Sequence, residues 1–103
     1  MLEKDFQKQI IDLAHYYGWL VAHFRPAQNA KGRWRTPVGA DGTGYPDLTL
    51  VHPTRGILFW EVKSEKGKPS PQQTVWLDAL SAHMEARIVR PADWEYIKSR
   101  LAK

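Results

Sequence analysis

The sequence predicts an α/β domain in which a central mixed sheet is flanked by helices, in the order αβββαβα. Three observations carry that expectation. The N-terminal segment has a helical apolar stripe, the middle holds two strand-like runs joined by a turn, and two proline-started helices bracket a short strand near the end. The chain of 103 residues provides for one domain, 1–103, because about 100 residues can bury a self-sufficient core. Its 43% hydrophobic and 12% aromatic content can fill that core, and 25% charged residues cover an ordinary surface.

Leu2, Phe6, Ile10, Leu13 and Tyr17 recur at spacings of three and four, so a helix over 2–17 buries one face, and Gly18 supplies its stop. Trp19 to Phe24 is short, aromatic and partly β-branched, as a strand should be. Residues 25–46 show neither period. Pro26, Gly32, Pro37, Gly39, Gly42, Gly44 and Pro46 punctuate them, and a loop of about 20 residues in so small a domain is usually functional or mobile. Asp47 to His52 and Ile57 to Lys63 read as strands around a Pro53 to Gly56 turn, forming a hairpin. Ser70 and Pro71 look like the cap and first residue of a helix with the stripe Trp76/Leu77, Leu80 and Met84. A strand from Ala86 to Val89 follows. Pro91 then opens a helix through Leu101 that buries Trp94, Ile97 and Leu101.

Several function classes are excluded. With no cysteine, there is no disulfide, thiol nucleophile or Cys-based zinc site, and the absence fits a reducing compartment. The start lacks the basic and apolar regions of a signal peptide, and no apolar run approaches the roughly 18 residues of a membrane span, so a cytoplasmic protein is expected. No G-x-x-x-x-G-K-[ST] loop is present, which argues against a nucleotide cofactor. His15, His23, His52 and His83 lack metal-ligand spacing and read as structural or surface groups, with His15 and His83 in helices. The net charge of +4 favours a polyanionic partner without requiring one.

The chemistry lies on the hairpin. Strand alternation puts Glu61 and Lys63 on the face of Ile57 and Phe59, opposite Leu58, Trp60 and Val62. Pairing across the turn brings Asp47 to the Glu61 to Lys63 end. Buried charges must pair, reach water or form a site. Two explanations stay open: a strand-end salt bridge between Lys63 and either acid, or a site whose hard oxygen ligands suit Mg²⁺ or Mn²⁺ bound with water and phosphate oxygens. Lys31, Arg33 and Arg35 alternate around Trp34 in the glycine-rich loop, a pattern for neutralising phosphates and stacking an unpaired base, or simply for a solvated loop. Lys66 and Lys68, with Lys4, extend a basic rim or an ordinary surface.

Three strings in order sharpen the reading: Gly44-Tyr45-Pro46-Asp47-Leu48, Glu61-Val62-Lys63 and Ser70-Pro71-Gln72-Gln73-Thr74-Val75-Trp76-Leu77. Together they resemble the VRR-NUC family of PD-(D/E)XK nucleases over nearly the whole chain, from an acid on the first helix to the last helix. The resemblance implies a restriction-endonuclease-like fold and a metal-dependent endonuclease acting on DNA phosphodiesters. It implies that Asp47, Glu61 and the Val62 main-chain carbonyl hold Mg²⁺ or Mn²⁺, and that Lys63 is the catalytic lysine. Glu3 and Gln73 join them as supporting site residues, Glu3 also as a metal ligand. Glu3 is equally a first-turn acid complementing the helix dipole, while Gln73, favoured as a site residue, is also the third residue of a capping box. The resemblance extends to stand-alone phage or bacterial members and to Holliday-junction resolvases, hence to branched DNA and a homodimer. The alternative is a non-catalytic nucleic-acid-binding module with the same fold.

Overall fold

A computed structural model describes residues 1–24, 27–28, 34–35 and 39–103, with 27–28 and 34–35 described by backbone alone. Helix α1 (Glu3–Tyr16) starts without a side-chain cap, but Glu3 and Asp5 in its first turn complement the dipole. Its stripe buries Phe6, Ile10 and Ala14. Gly18, at φ +84°, turns the chain into strand β1 (Leu20–His23). Trp19 lies just before that strand rather than in it, buried, with its indole N–H donating to the Leu101 carbonyl at 2.9 Å.

The segment expected to be a plain loop contains two short antiparallel strands, β2 (Ala27–Gln28) and β3 (Trp34–Arg35). The expected αβββαβα order lacks this pair, because two-residue strands are too short to show a period. Strands β4 (Leu48–His52) and β5 (Gly56–Val62) form the expected hairpin, with Gly56 at φ +100° completing its turn. Helix α2 (Pro71–Ser81) crosses to strand β6 (Glu85–Val89), parallel to β5. A 3₁₀ turn, Pro91–Asp93, precedes helix α3 (Trp94–Ala102), so the last proline opens a short turn and the helix itself begins at Trp94.

The main sheet has the order β1-β4-β5-β6, antiparallel except for the last pair. One face carries the core. Leu48, Leu50, Leu58, Trp60, Val62 and Val89 pack with Phe6 and Ile10 of α1 and Ile97 and Leu101 of α3. Each such side chain contributes about 1.5–3 kcal/mol by leaving water. The other face lies under α2, which buries no residue completely. Its half-buried positions are Gln73, Trp76, Leu77 and Leu80. Met84 and His83, expected on this helix, follow its end and are exposed. The helix gives out where the chain turns back to enter β6: the amides of His83 and Met84 both donate to the Leu80 carbonyl. No helix among the described residues is long and apolar enough to cross a membrane.

Candidate active site

Register builds the centre. Leu48 pairs with Trp60, so the next antiparallel pair sets Asp47 opposite Glu61. Both lie on the α2 face, since Leu48 and Trp60 point into the core. The Asp47 amide donates to Glu61 Oε1 at 3.2 Å, and the Val62 amide donates to Asp47 Oδ2 at 2.9 Å. The two carboxylates thus stitch the open end of the hairpin where ordinary ladder bonds stop.

Glu61 is 1% exposed. Burial first, and the Asp47 charge second, push its carboxyl from 4.5 up to about 7, against the lowering effect of Lys63. Lys63 Nζ sits 3.3 Å from Glu61 Oε2. The salt-bridge explanation is therefore right about the pairing, with Glu61 as the partner. It accounts for Lys63 and Glu61 only, because Asp47 Oδ2 instead accepts from the Val62 amide.

Gln73 makes both sets of contacts that its position allows. Its backbone N–H donates to Ser70 Oγ at 3.2 Å and its side-chain oxygen accepts the Ser70 N–H at 2.8 Å, a complete capping box. With that oxygen engaged, the amide nitrogen points the other way and donates to Glu61 Oε2 at 2.6 Å. Gly44 explains the glycine of the first string. It has φ +89°, and a Cβ there would lie 2.6 Å from the Gln72 main-chain carbon, so the loop before Asp47 closes directly on the first turn of α2. Tyr45 packs edge-on against Trp76 at 5.1 Å, and its hydroxyl lies 2.9 Å from Thr49 Oγ1.

The remaining expected residues lie at varying distances from this cluster. Glu3 is exposed and, among the described residues, has no hydrogen bond or ion pair with the cluster; it occupies the dipole-complementing first turn. Val62 ends β5 with its side chain in the core and its main chain beside Asp47. Lys66 and Lys68 are exposed on the turn that follows Lys63, and Lys4 is exposed on α1. Lys31 and Arg33 lie outside the described residues, as do the side chains of Trp34 and Arg35.

Arg90, which carries no motif signal, reaches this same turn. Its guanidinium Nη1 donates to the carbonyls of Ser64 and Gly67, each at 2.6 Å. Such main-chain acceptors have no sequence signature. An arginine just past the end of the strand paired to β5 was the available hint.

The donor set fits a hard divalent cation. Asp47 and Glu61 offer oxygen ligands, and the carboxyl of Glu61 is raised by burial first and by the neighbouring Asp47 charge second. Among the described residues no group of three or more His, Cys, Asp or Glu is placed to hold a metal. Any such ion would complete its shell with main-chain oxygen and water, as Mg²⁺ does.

A family model, the VRR-NUC domain, matches residues 20–93. The chain belongs to the VRR-NUC family. The match runs from β1 through the 3₁₀ turn, so Glu3, α1 and α3 lie outside it and the likeness is narrower than nearly the whole chain. Searches of curated proteins and of solved structures returned no match. A VRR-NUC domain is nuclease-like, and DNA is the substrate that such a domain implies.

Proposed function

We propose that the chain is a Mg²⁺- or Mn²⁺-dependent endonuclease of the restriction-endonuclease-like fold that hydrolyses DNA phosphodiester bonds. The observation that carries this reading is the convergence of Asp47 and Glu61, one of them buried with a raised carboxyl, beside Lys63 in a VRR-NUC domain. Asp47, Glu61 and the Val62 carbonyl hold the ion. When bound, such an ion offsets charge on the phosphoryl oxygens and lowers the pKa of a coordinated water.

The chain's own residues do the rest. Gln73 donates to one oxygen of Glu61 and the Asp47 amide to the other, so the carboxylate is fixed before any ligand arrives. Lys63 presents its ammonium on the same edge, to orient the attacking water and to offset charge building on the phosphate. Lys66 and Lys68 supply exposed positive charge for flanking phosphates, and Lys31, Arg33, Trp34 and Arg35 do so from the glycine-rich segment. Selectivity for branched DNA such as a Holliday junction, action as a homodimer, and a place in the cytoplasm of a bacterial or phage-infected cell belong to the same proposal.

The test is cleavage of linear, flapped and four-way DNA with Mn²⁺ or Mg²⁺. If every substrate stays intact in both metals, the reading fails. A second reading, a binding module without turnover, is favoured by the Lys63 to Glu61 ion pair, which satisfies the buried carboxylate without a metal. DNA binding in metal without cleavage, unchanged by Glu61→Gln, would establish it.

A further inference from the structure

Lys63 is the first residue beyond β5, and its side chain is only 14% exposed. Its backbone is fixed on one side, where its amide donates to the Val89 carbonyl at 3.1 Å. On the other side lies the turn 64–67. A Cβ on Gly67 would stand 3.5 Å from Lys63 Cδ, so this turn lies along the aliphatic stem of the lysine.

What holds the turn is Arg90. One guanidinium nitrogen donates to Ser64 and Gly67 at 2.6 Å each and to the Glu65 carbonyl at 3.4 Å. Arg90 forms no ion pair with a carboxylate among the described residues, so its charge serves these main-chain oxygens alone. All three contacts come from the same nitrogen, as charge-assisted hydrogen bonds to converging carbonyls. The clasp is doubled, because the Ala92 amide donates to Glu65 Oε1 at 2.5 Å. Arg90 is itself anchored, its own amide donating to Asp93 Oδ2 at 2.8 Å.

We infer that Arg90 is a positioning residue: it clamps the turn 64–67 against Lys63 and so holds the ammonium beside Glu61. Among the described residues Arg90 makes no hydrogen bond or ion pair with Asp47, Glu61 or Lys63, so it acts through the turn. The inference rests on the catalytic role proposed for Lys63, but where that lysine sits can be tested without turnover.

Acetylation with a limiting amount of acetic anhydride, read by mass spectrometry, reports access to Lys63. The exposed Lys8 of α1 serves as the internal standard. In folded Arg90→Ala, Lys63 should be modified at least threefold faster than in the wild type with Lys8 unchanged, and Arg90→Lys should fall between. In the cleavage assay, well below the melting temperature, kcat should drop about tenfold while KM for DNA stays within twofold. Unchanged Lys63 labelling in the folded variant overturns the inference. So does a raised KM with unchanged kcat, which would assign the turn to gripping DNA through Lys66 and Lys68. A wild type that cleaves nothing would defeat the proposed function, and the labelling would still decide what Arg90 does. If Arg90→Ala does not fold, Arg90→Gln, which keeps an amide donor but cannot span three carbonyls, decides the question by the same two readouts.

Discussion

Glu61 and Glu85 lie on adjacent parallel strands, each half-enclosed by a helix, yet the protein treats them in opposite ways. Glu85 faces α3. It accepts from the Trp60 indole at 3.3 Å, from Arg100 Nε at 3.1 Å and from the Tyr96 hydroxyl, with Arg87 3.7 Å away. Burial would raise its carboxyl, but hydrogen bonds from Tyr96, Arg100 and Trp60 outweigh it, and the result lies below the usual value. Glu61 faces α2, is more deeply buried, and has one lysine at 3.3 Å while the Asp47 charge beside it raises its carboxyl further. Donors saturate one carboxylate and leave the other short of positive charge. The first is a fastener between sheet and helix. The second is a buried carboxylate whose charged form the fold itself disfavours.

The largest way to break that contrast is by activity. Asp47→Ala, Glu61→Ala or Lys63→Ala should each lower cleavage by about 10³-fold or more, the equivalent of roughly 4 kcal/mol of transition-state stabilisation, with circular dichroism unchanged. Full activity in any of them rejects the assignment. Glu85→Ala should instead cost about 3 kcal/mol of stability in urea, because Arg100, Tyr96 and the Trp60 indole lose their acceptor, while the folded protein still cleaves.

Next comes Gly44→Ala. Its Cβ meets the Gln72 backbone at 2.6 Å in a conformation that L side chains resist, so we expect about 2 kcal/mol of lost stability, together with reduced cleavage from a displaced Asp47. A wild-type melting curve would mean that the loop does not close on α2.

The pH dependence of the metal-free protein sharpens the comparison further. Glu61 holds its proton more tightly folded than unfolded, so its contribution is most favourable below 4.5 and is lost as pH rises towards about 7. Glu85 has the opposite sign: its contribution is complete above 4.5 and is lost as pH falls through its lowered value. In chemical denaturation, Glu61→Gln should flatten the decline between pH 4.5 and 7, and Glu85→Gln should flatten the acid limb below it. If the two variants change the same limb, the contrast is wrong. The smallest effect should be Tyr96→Phe. It removes the hydroxyl, itself pushed up to about 12 by burial and by Glu85, for about 1 kcal/mol with unchanged cleavage.

Much of this arrangement was legible in the sequence. Strand alternation separated Glu61 and Lys63 from Leu58, Trp60 and Val62, and a hairpin around 53–56 was enough to bring Asp47 to them. Periodicity reports faces, not partners, so it could not say which acid takes Lys63. Nor could it show that Gln73 caps a helix with one end of its amide and binds Glu61 with the other. Met84 kept the helical spacing but lies past the helix, because the chain turns back before the period runs out. Glu85 was invisible because its side-chain partners lie 11, 15 and 25 residues away on other elements.

The hairpin also has a kinetic consequence. Asp47 and Glu61 are 14 residues apart, joined through the tight turn at 53–56, so they meet at low contact order. Hairpins of this kind zip in microseconds, well before a parallel strand such as β6 docks across its helical crossover. The repulsion between the two carboxylates is therefore met early on the folding route, before Gln73 arrives. Relieving it should accelerate refolding, and because the burial of Glu61, the larger cause of its raised carboxyl, comes later, protonation should slow unfolding as well.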